Sequence, residues 1–480
     1  MLSRIVIMVC VIFLNGVALV SAEEGGRNTE LELAESWSAF VEGLQKAQIS
    51  LTDPKDFPPQ ATDRNLAEGY RYLLGHIGRM IELEIRMDPR FPEFHRSMDM
   101  LRKWTGENPD TLYLKAPLDA TGYYRVSGIA ANTREWRDSS RGRQGAKAPR
   151  MVTYQTITDT PGATGELAEM ANCKSQTLGF LSSFDLHVDG DRFEFLIGPE
   201  RPEDYTGDFL LSRREMTCAP TGETTIVEAR WLAVREMFSD WEFEQALDMD
   251  IVRLDSIGHS KPPIEAEFVA RKLAKIGEEL PNQIRFWNFL QKYPLETYDD
   301  ANGDGRRNQP LNGINKPALP FTAGGVAGSR QYYASGIYDL AADEALVIKV
   351  TAPVEPHYIG LQLNTLWFEG PDQQNYVSSL TGHQLSVASD GSRYYVISVN
   401  DPGLAGWVDT TGYNYGQHAM RFIFREDPPA DQMPITEAFL VKFDQLATVL
   451  PADTPPVNAQ QRQAEVAIRQ AHIKRRWRAY

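Results

Sequence analysis

Apolar residues recur every three or four positions in two stretches early in the chain. They are Leu33, Trp37, Phe40, Val41 and Leu44, then Leu66, Tyr70, Leu73, Ile77 and Ile81, with Asp88-Pro89 closing the second. That spacing lines one face of a helix and predicts two or three helices before residue 105. From TLYLKA at 111–116 the period drops to two. YYRVSG, MVTYQTI, RFEFLI and TTIVEARWLAV alternate between Gly, Asp and Pro turns, which predicts a first β domain. Helical spacing returns from Glu265 to Tyr293, with Phe268, Leu273, Ile276 and Leu280 on one face and Pro281 expected to kink or break it.

A Gly, Pro and Asn-rich linker follows, and strands resume at ALVIKVTA, HYIGLQLNTLWF, RYYVISV and HAMRFIFRE. These predict a second antiparallel sandwich or jelly roll. A last helix carries Val466, Ile473 and Trp477 on its apolar side and ends in the basic KRRWRAY, a solvated or docked tail. No repeat of 20 to 50 residues is visible. The expected fold is mainly β with helical additions: two sandwich or jelly-roll-like domains, a helical N-terminal region and a C-terminal helix. The expected divisions are a signal peptide at 1–22, helices at 23–105, a first β domain at 106–260, helix and linker at 261–330, a second β domain at 331–430 and a helical tail at 431–480.

The opening MLSRIVIMVCVIFLNGVALVSAEE has a basic start, an apolar run and small residues before a cut after Ala22, as a secretory signal does. Asn15 and Gly16 interrupt the run, which falls short of the ~20 residues a membrane span needs. Export, periplasmic or extracellular, is the expectation, with no membrane span in the mature chain. Cleavage removes Cys10 and leaves Cys173 and Cys218, an even pair in an oxidising compartment; a disulfide is expected, two unrelated buried thiols being the alternative. At 480 residues the chain is long enough for two or three domains. A net charge of −16 disfavours nucleic acid, whose binding rests on Lys and Arg neutralising phosphates.

Two stretches carry chemistry. DDANGDGRRN at 299–308 sets Asp300, Asn302, Asp304 and Asn308 at the oxygen-ligand spacing of an EF-hand-type loop, with Gly305 at the turn. Leu311 replaces the usual bidentate Glu, so the readings are a structural calcium loop or an Asx-rich turn. No other cofactor is expected. NDPGLAGWVDTTGYNYG at 400–416 reads as a long inter-strand loop. His357, His383 and His418 all lie in the second β domain, where they could meet as a metal site of the cupin sort, but their spacing is no recognised ligand pattern and the preferred reading is ordinary surface or hydrogen-bonded histidines. There is no dinucleotide fingerprint, Walker loop, nucleophile elbow or H-E-x-x-H.

HYIGLQLNTLWFEGPD, DGSRYYVISVNDPGLAGWVDTTG and Arg421 resemble the bacterial family called domain of unknown function 1214. ENPDTLYLKAPLD and VREMFSDW resemble the domain that commonly precedes it. The resemblance implies a β-sandwich-like domain followed by a jelly-roll-like one. Its motif residues are Asn108, Asp110 and Tyr113, with Trp367, Trp407, Asp409, Thr410 and Arg421. PEDYTGDF at 202–209 departs from the Gly-Asn-Trp turn of its relatives.

The functional expectation is a polar cleft between the two β domains, with Asn108, Tyr113, Trp367, Trp407 and Arg421 binding a carbohydrate-like or lipid-like ligand. The alternatives are a hydrolase of glycosidic or ester bonds with Asp110 and Asp409 as its carboxylate pair, or a structural envelope protein. In the structural reading the same residues are Asx turns, a Trp plug and an Asp409–Arg421 pair pinning the loop.

Overall fold

Alternation in TLYLKAP sends Leu112, Leu114 and Ala116 into one core and turns Tyr113 and Lys115 to the opposite face. The computed structural model describes residues 28–137, 145–166, 169, 173, 175–218, 222–296, 309–319 and 330–478. The TLYLKAP strand is β2 (Thr111–Pro117), in a sheet of order β1 (His95–Arg96), β2, β10 (Trp231–Met237), β4 (Met151–Ile157), β5 (Thr177–Ser182). A facing sheet runs β11 (Asp248–Arg253), β3 (Tyr124–Ile129), β6 (Arg192–Gly198), β7 (Asp208–Leu211). Its Val126, Phe195 and Ile251 share one core with Leu114, Tyr154 and Val234 of the first sheet.

The second domain repeats this plan. One sheet runs β12 (Gln331–Asp339), β18 (Tyr415–Ile423), β14 (Tyr358–Asn364), β15 (Ser379–Thr381). The other runs β17 (Trp407–Asp409), β16 (Ser392–Ser398), β13 (Glu344–Thr351), β19 (Ile435–Lys442). Strands β2, β10, β4 and β5 correspond one to one with β12, β18, β14 and β15, and β11, β3, β6 and β7 with β19, β13, β16 and β17. Even the parallel pair β6–β7 has its counterpart in β16–β17. Asp189-Gly190 and Asp390-Gly391 turn the chain into β6 and β16, each Gly at positive φ (65° and 82°), where a side chain would be strained. The first domain adds the edge strand β1 and one hairpin, β8 (Arg213–Cys218) with β9 (Glu223–Glu228). Because β19 pairs with β13 along its length, the second domain continues to Lys442 rather than ending at 430.

Four longer helices complete the fold: α1 over 28–49, α2 (Asp63–Ile81), α3 (Ala266–Glu296) and α4 (Ala459–Arg478). The Thr62 side chain caps α2 by accepting the Asn65 N–H at 3.2 Å. Helix α3 continues through Pro281, so of the expected kink or break the break does not occur. The carbonyl that Pro281 deprives of its helical donor is that of Gly277, and it faces Gly43 of α1 so closely that a Cβ at Gly43 would lie 2.1 Å from it. Packing of α1, α2 and α3 around Phe40, Leu73, Ile276 and Leu280 overrides the local break. No helix among the described residues is long and apolar enough to cross a membrane. The expected disulfide is present, Cys173 to Cys218 with Cα atoms 5.3 Å apart.

The two domains meet through the outer faces of equivalent sheets. Met151, Met237, Tyr358 and Ile423 cluster there. Arg150 Nε donates to the His357 carbonyl at 2.7 Å, and His357 Nε2 donates back to the Arg150 carbonyl at 2.8 Å. Arg150 precedes β4 as His357 precedes β14, so the contact is reciprocal between matching positions.

Candidate functional site

The motif residues hold the architecture together. In NPDTLY the Asn108 side chain accepts the Asp110 N–H at 3.0 Å, an Asx turn that starts β2. Its amide donates to the Tyr358 hydroxyl at 3.1 Å, and that hydroxyl donates to Asp110 at 2.6 Å. Asp110 is only 1% exposed. Burial pushes its carboxyl up, opposed by the Tyr358 bond and by Arg469, Arg476 and Arg421. Helix α4 seals this corner, with Arg476 donating to the Pro109 carbonyl at 2.8 Å. The basic tail is thus docked, with Arg469, His472 and Arg476 buried.

The loop of 400–416 is pinned in the same way. Asp409 accepts the Thr411 N–H at 2.7 Å, which holds Thr411 at φ 54°. Burial raises the Asp409 carboxyl, and Asp401 adds to that, while the Thr411 amide and Arg462 oppose it. Trp407 donates to the Ser398 carbonyl at 3.3 Å and carries the Arg462 guanidinium 5.1 Å above its ring. Trp367, 3% exposed, donates to the Asn65 carbonyl at 2.8 Å and packs on Tyr72, which fastens the second domain to α2.

Asp409 and Arg421 do not pair. Arg421 donates instead to the Gln362 side chain and to the Gly106 carbonyl, the latter at 2.9 Å. Nor does the structure bring Asp110 and Asp409 into one cleft. Asp110 lies against β14 and α4, whereas Asp409 ends β17 in the opposite sheet, and they share no partner. His357, His383 and His418 do not converge either: they bond the Arg150 carbonyl, Asp240 and the Gly313 carbonyl. Asp300, Asn302, Asp304 and Asn308 lie outside the described residues.

The strand repeat places matched side chains. Tyr113 stands opposite Arg235, which donates to Gln155; Tyr333 stands opposite Arg421, which donates to Gln362. The guanidiniums lie 5.9 and 5.4 Å from their tyrosine rings. Burial lowers the Arg235 pKa; both tyrosines oppose this and Arg421 adds to it, so the two sets are within electrostatic reach across the domain boundary.

Beside the first set a small recess opens to solvent on the outer face of the β2–β10–β4 sheet. Its walls include Ser97, Trp104, Tyr113, Lys115, Asp159, Gln176 and Arg235. Lys115 reaches it because the same alternation that buries Leu114 turns Lys115 outward. Its ammonium donates to Thr160 Oγ1 at 2.7 Å and lies 4.8 Å from the Trp104 ring. Burial holds it well below the ordinary lysine range, Arg79 adds to this, and Asp159 opposes it. Arg79 comes from α2, with its guanidinium 3.5 Å over the same Trp104 ring. It is 1% exposed, none of its three side-chain nitrogens has a hydrogen-bond partner among the described residues, and burial pushes its pKa down to about 9, opposed by Asp159. Asp159 itself is held by Arg230 at 2.5 Å, and Glu279 pairs with Lys275 at 3.6 Å. Of this group only Tyr113 is expected from sequence.

The fold is similar to that of an uncharacterised protein from Burkholderia cenocepacia, with a TM-score of 0.66 and 20% identity over 87% of this chain and 99% of that one. A protein from Vibrio parahaemolyticus aligns at a TM-score of 0.41 and 14% identity, over 83% of this chain and all of that one. No protein-family model matches the chain, and no curated protein does.

Proposed function

We propose that the chain is an exported binding protein that holds a small, ring-bearing, carbohydrate-like ligand in the recess beside β2. The observation that carries this is the recess itself, where the aromatic side chains of Trp104 and Tyr113 share the lining with the polar side chains of Ser97, Lys115, Gln176 and Arg235. A ring stacks on the first kind of surface while its hydroxyls are met by the second. A lipid would need a longer apolar trough than walls carrying Lys115, Asp159 and Arg235 provide. Binding is preferred to hydrolysis because Asp110 and Asp409 are spent on separate turns. Export belongs to the same proposal, supported by the signal-like N-terminus and the disulfide. So does membership of the domain of unknown function 1214 family, on the NPDTLY and WVDTTG motifs.

The test is a glycan and lipid panel titrated into mature protein by calorimetry. A monosaccharide-sized ligand is expected to bind, and Trp104→Ala to weaken it at least tenfold, about 1.4 kcal/mol. Trp104→Ala also opens space beside Trp287, so its unfolding is followed in parallel. A panel without a binder, or a folded Trp104→Ala with wild-type affinity, would sink the reading.

The loop at 299–308 is proposed to take calcium as a structural ion. At calcium ten times above Kd the folded state gains about 1.4 kcal/mol. The melting temperature should rise with calcium in the wild type and stay fixed in Asp300→Ala and Asp304→Ala. A wild type indifferent to millimolar calcium ends the idea.

A further inference from the structure

We infer that Lys115 is a covalent capture point: from the wall of the recess, with a hydroxyl as its hydrogen-bond partner, its amine condenses with the carbonyl carbon of an aldehyde to form an imine. The inference rests on reading the recess as a ligand site, not on the ligand being a sugar, and adds a reactive group to that site. Lys115 lines the recess. Its Nζ donates to Thr160 Oγ1 at 2.7 Å, and Thr160 is flanked in the chain by Asp159 and Pro161, which line the recess too. Lys115 is only 3% exposed, with the Trp104 and Trp231 rings 4.8 and 5.5 Å from the nitrogen.

A hydroxyl does not hold the lysine proton as a carboxylate does, and the carboxylate in the wall, Asp159, is paired with Arg230. The charged groups that act on Lys115 are Arg79 of α2, Arg235 of β10, Arg230 just before β10 and Asp159 just after β4. Burial and the three guanidiniums favour the uncharged amine, and Asp159 alone opposes them. An ammonium has no lone pair to attack a carbonyl, whereas a lysine desolvated beside other cations has one. That setting is the one in which lysines form Schiff bases.

In the reaction the nitrogen lone pair forms the C–N bond while the carbonyl π pair moves to oxygen, and one N–H proton follows it. The resulting hydroxyl then leaves as water with the second N–H proton, and the C=N bond remains. No oxidant or reductant is needed. The open-chain form of a reducing sugar carries such a carbonyl, as does glyceraldehyde.

Mature wild-type protein at pH 7 is given one equivalent of glyceraldehyde with cyanoborohydride, which reduces an imine to a stable amine, and its peptides are mapped by mass. The adduct at Lys115 is expected to exceed that at any other lysine at least tenfold, although Lys46 and Lys261 are far more exposed. For an ordinary exposed lysine the uncharged fraction grows about tenfold per pH unit below ~10.4. The ratio of Lys115 to Lys46 adducts should therefore fall at least tenfold between pH 7 and pH 9, and taking it within each sample cancels the reductant's own pH dependence. Lys115→Met should lose that adduct and keep the others. A Lys115 adduct no greater than those of the exposed lysines, or a ratio unchanged between the two pH values, would overturn the inference. A binder found in the glycan and lipid panel without a Lys115 adduct would overturn the covalent step and leave the recess reading standing; neither binder nor adduct would overturn both.

Discussion

Asp110→Ala is expected to lower stability by about 3 to 5 kcal/mol, and Asp409→Ala by about 1 kcal/mol. The difference comes from what each carboxylate leaves behind. Asp110 is 1% exposed and faces Arg469 and Arg476, whose pKa values burial has pushed down to about 10 while Asp110 draws them upward. Its own raised pKa means that burial outweighs its partners at that site. Deletion nevertheless removes the counter-charge nearest two buried guanidiniums and the shorter of the Tyr358 hydroxyl's acceptor contacts, and uncompensated buried charge is the larger cost. Asp409 is half-buried and caps one amide, so its loss resembles the loss of a turn cap. Asp110→Asn separates the contributions, since it can still accept from Tyr358 but carries no charge; it should fall between the two alanine variants. Urea melts with unchanged m would measure all three. An Asp110→Ala variant as stable as wild type would mean that the carboxylate faces an open site after all.

The strands are legible where one face meets a core and the other does not. TLYLKAP, MVTYQTI and RFEFLI each form a strand at or near the expected place. ITEAFLVK reads as part of the tail because its half-exposed residues lack a clean alternation, although it is a full partner of β13. The repeat is hidden for a different reason. Its two copies share strand order and register rather than residue identity. They also exceed a 20 to 50 residue window, and the β8–β9 hairpin offsets one against the other. Three pairs of positions betray it once the strands are aligned: Tyr113 with Tyr333, Gln155 with Gln362, Arg235 with Arg421. The motif residues stand out in the chain as having a job, but sequence cannot say that the job is structural, because a carboxylate in an Asx turn and one in a cleft look alike. The recess is not legible. Trp104, Lys115 and Arg235 come from a loop and two strands, so only tertiary packing makes them neighbours.

Replacing both Cys173 and Cys218 by Ala is expected to lower stability by about 4 kcal/mol at the upper end and by no less than about 2. The sulfurs close a loop with a sequence separation of 45, and the chain-entropy model converts a loop of that length into the upper figure. The lower figure allows for residual structure in the unfolded chain. The loss should be uneven across the molecule. Cys218 ends β8, and the β8–β9 hairpin forms a two-stranded sheet of its own that has no counterpart in the second domain, so among the described residues no sheet neighbour holds it. A two-stranded ribbon is marginal in water without further support. That support is the bridge from Cys218 to Cys173 and the burial of Val227 in the domain core. Without the bridge, the amides of 213–228 should exchange with solvent faster than those of β10 and β4, which are paired on both sides. Non-reducing peptide mapping of exported protein checks the premise, and both thiols found free would refute it. If the bridge is confirmed but the double variant exchanges uniformly, the disulfide staples the whole domain rather than the added hairpin.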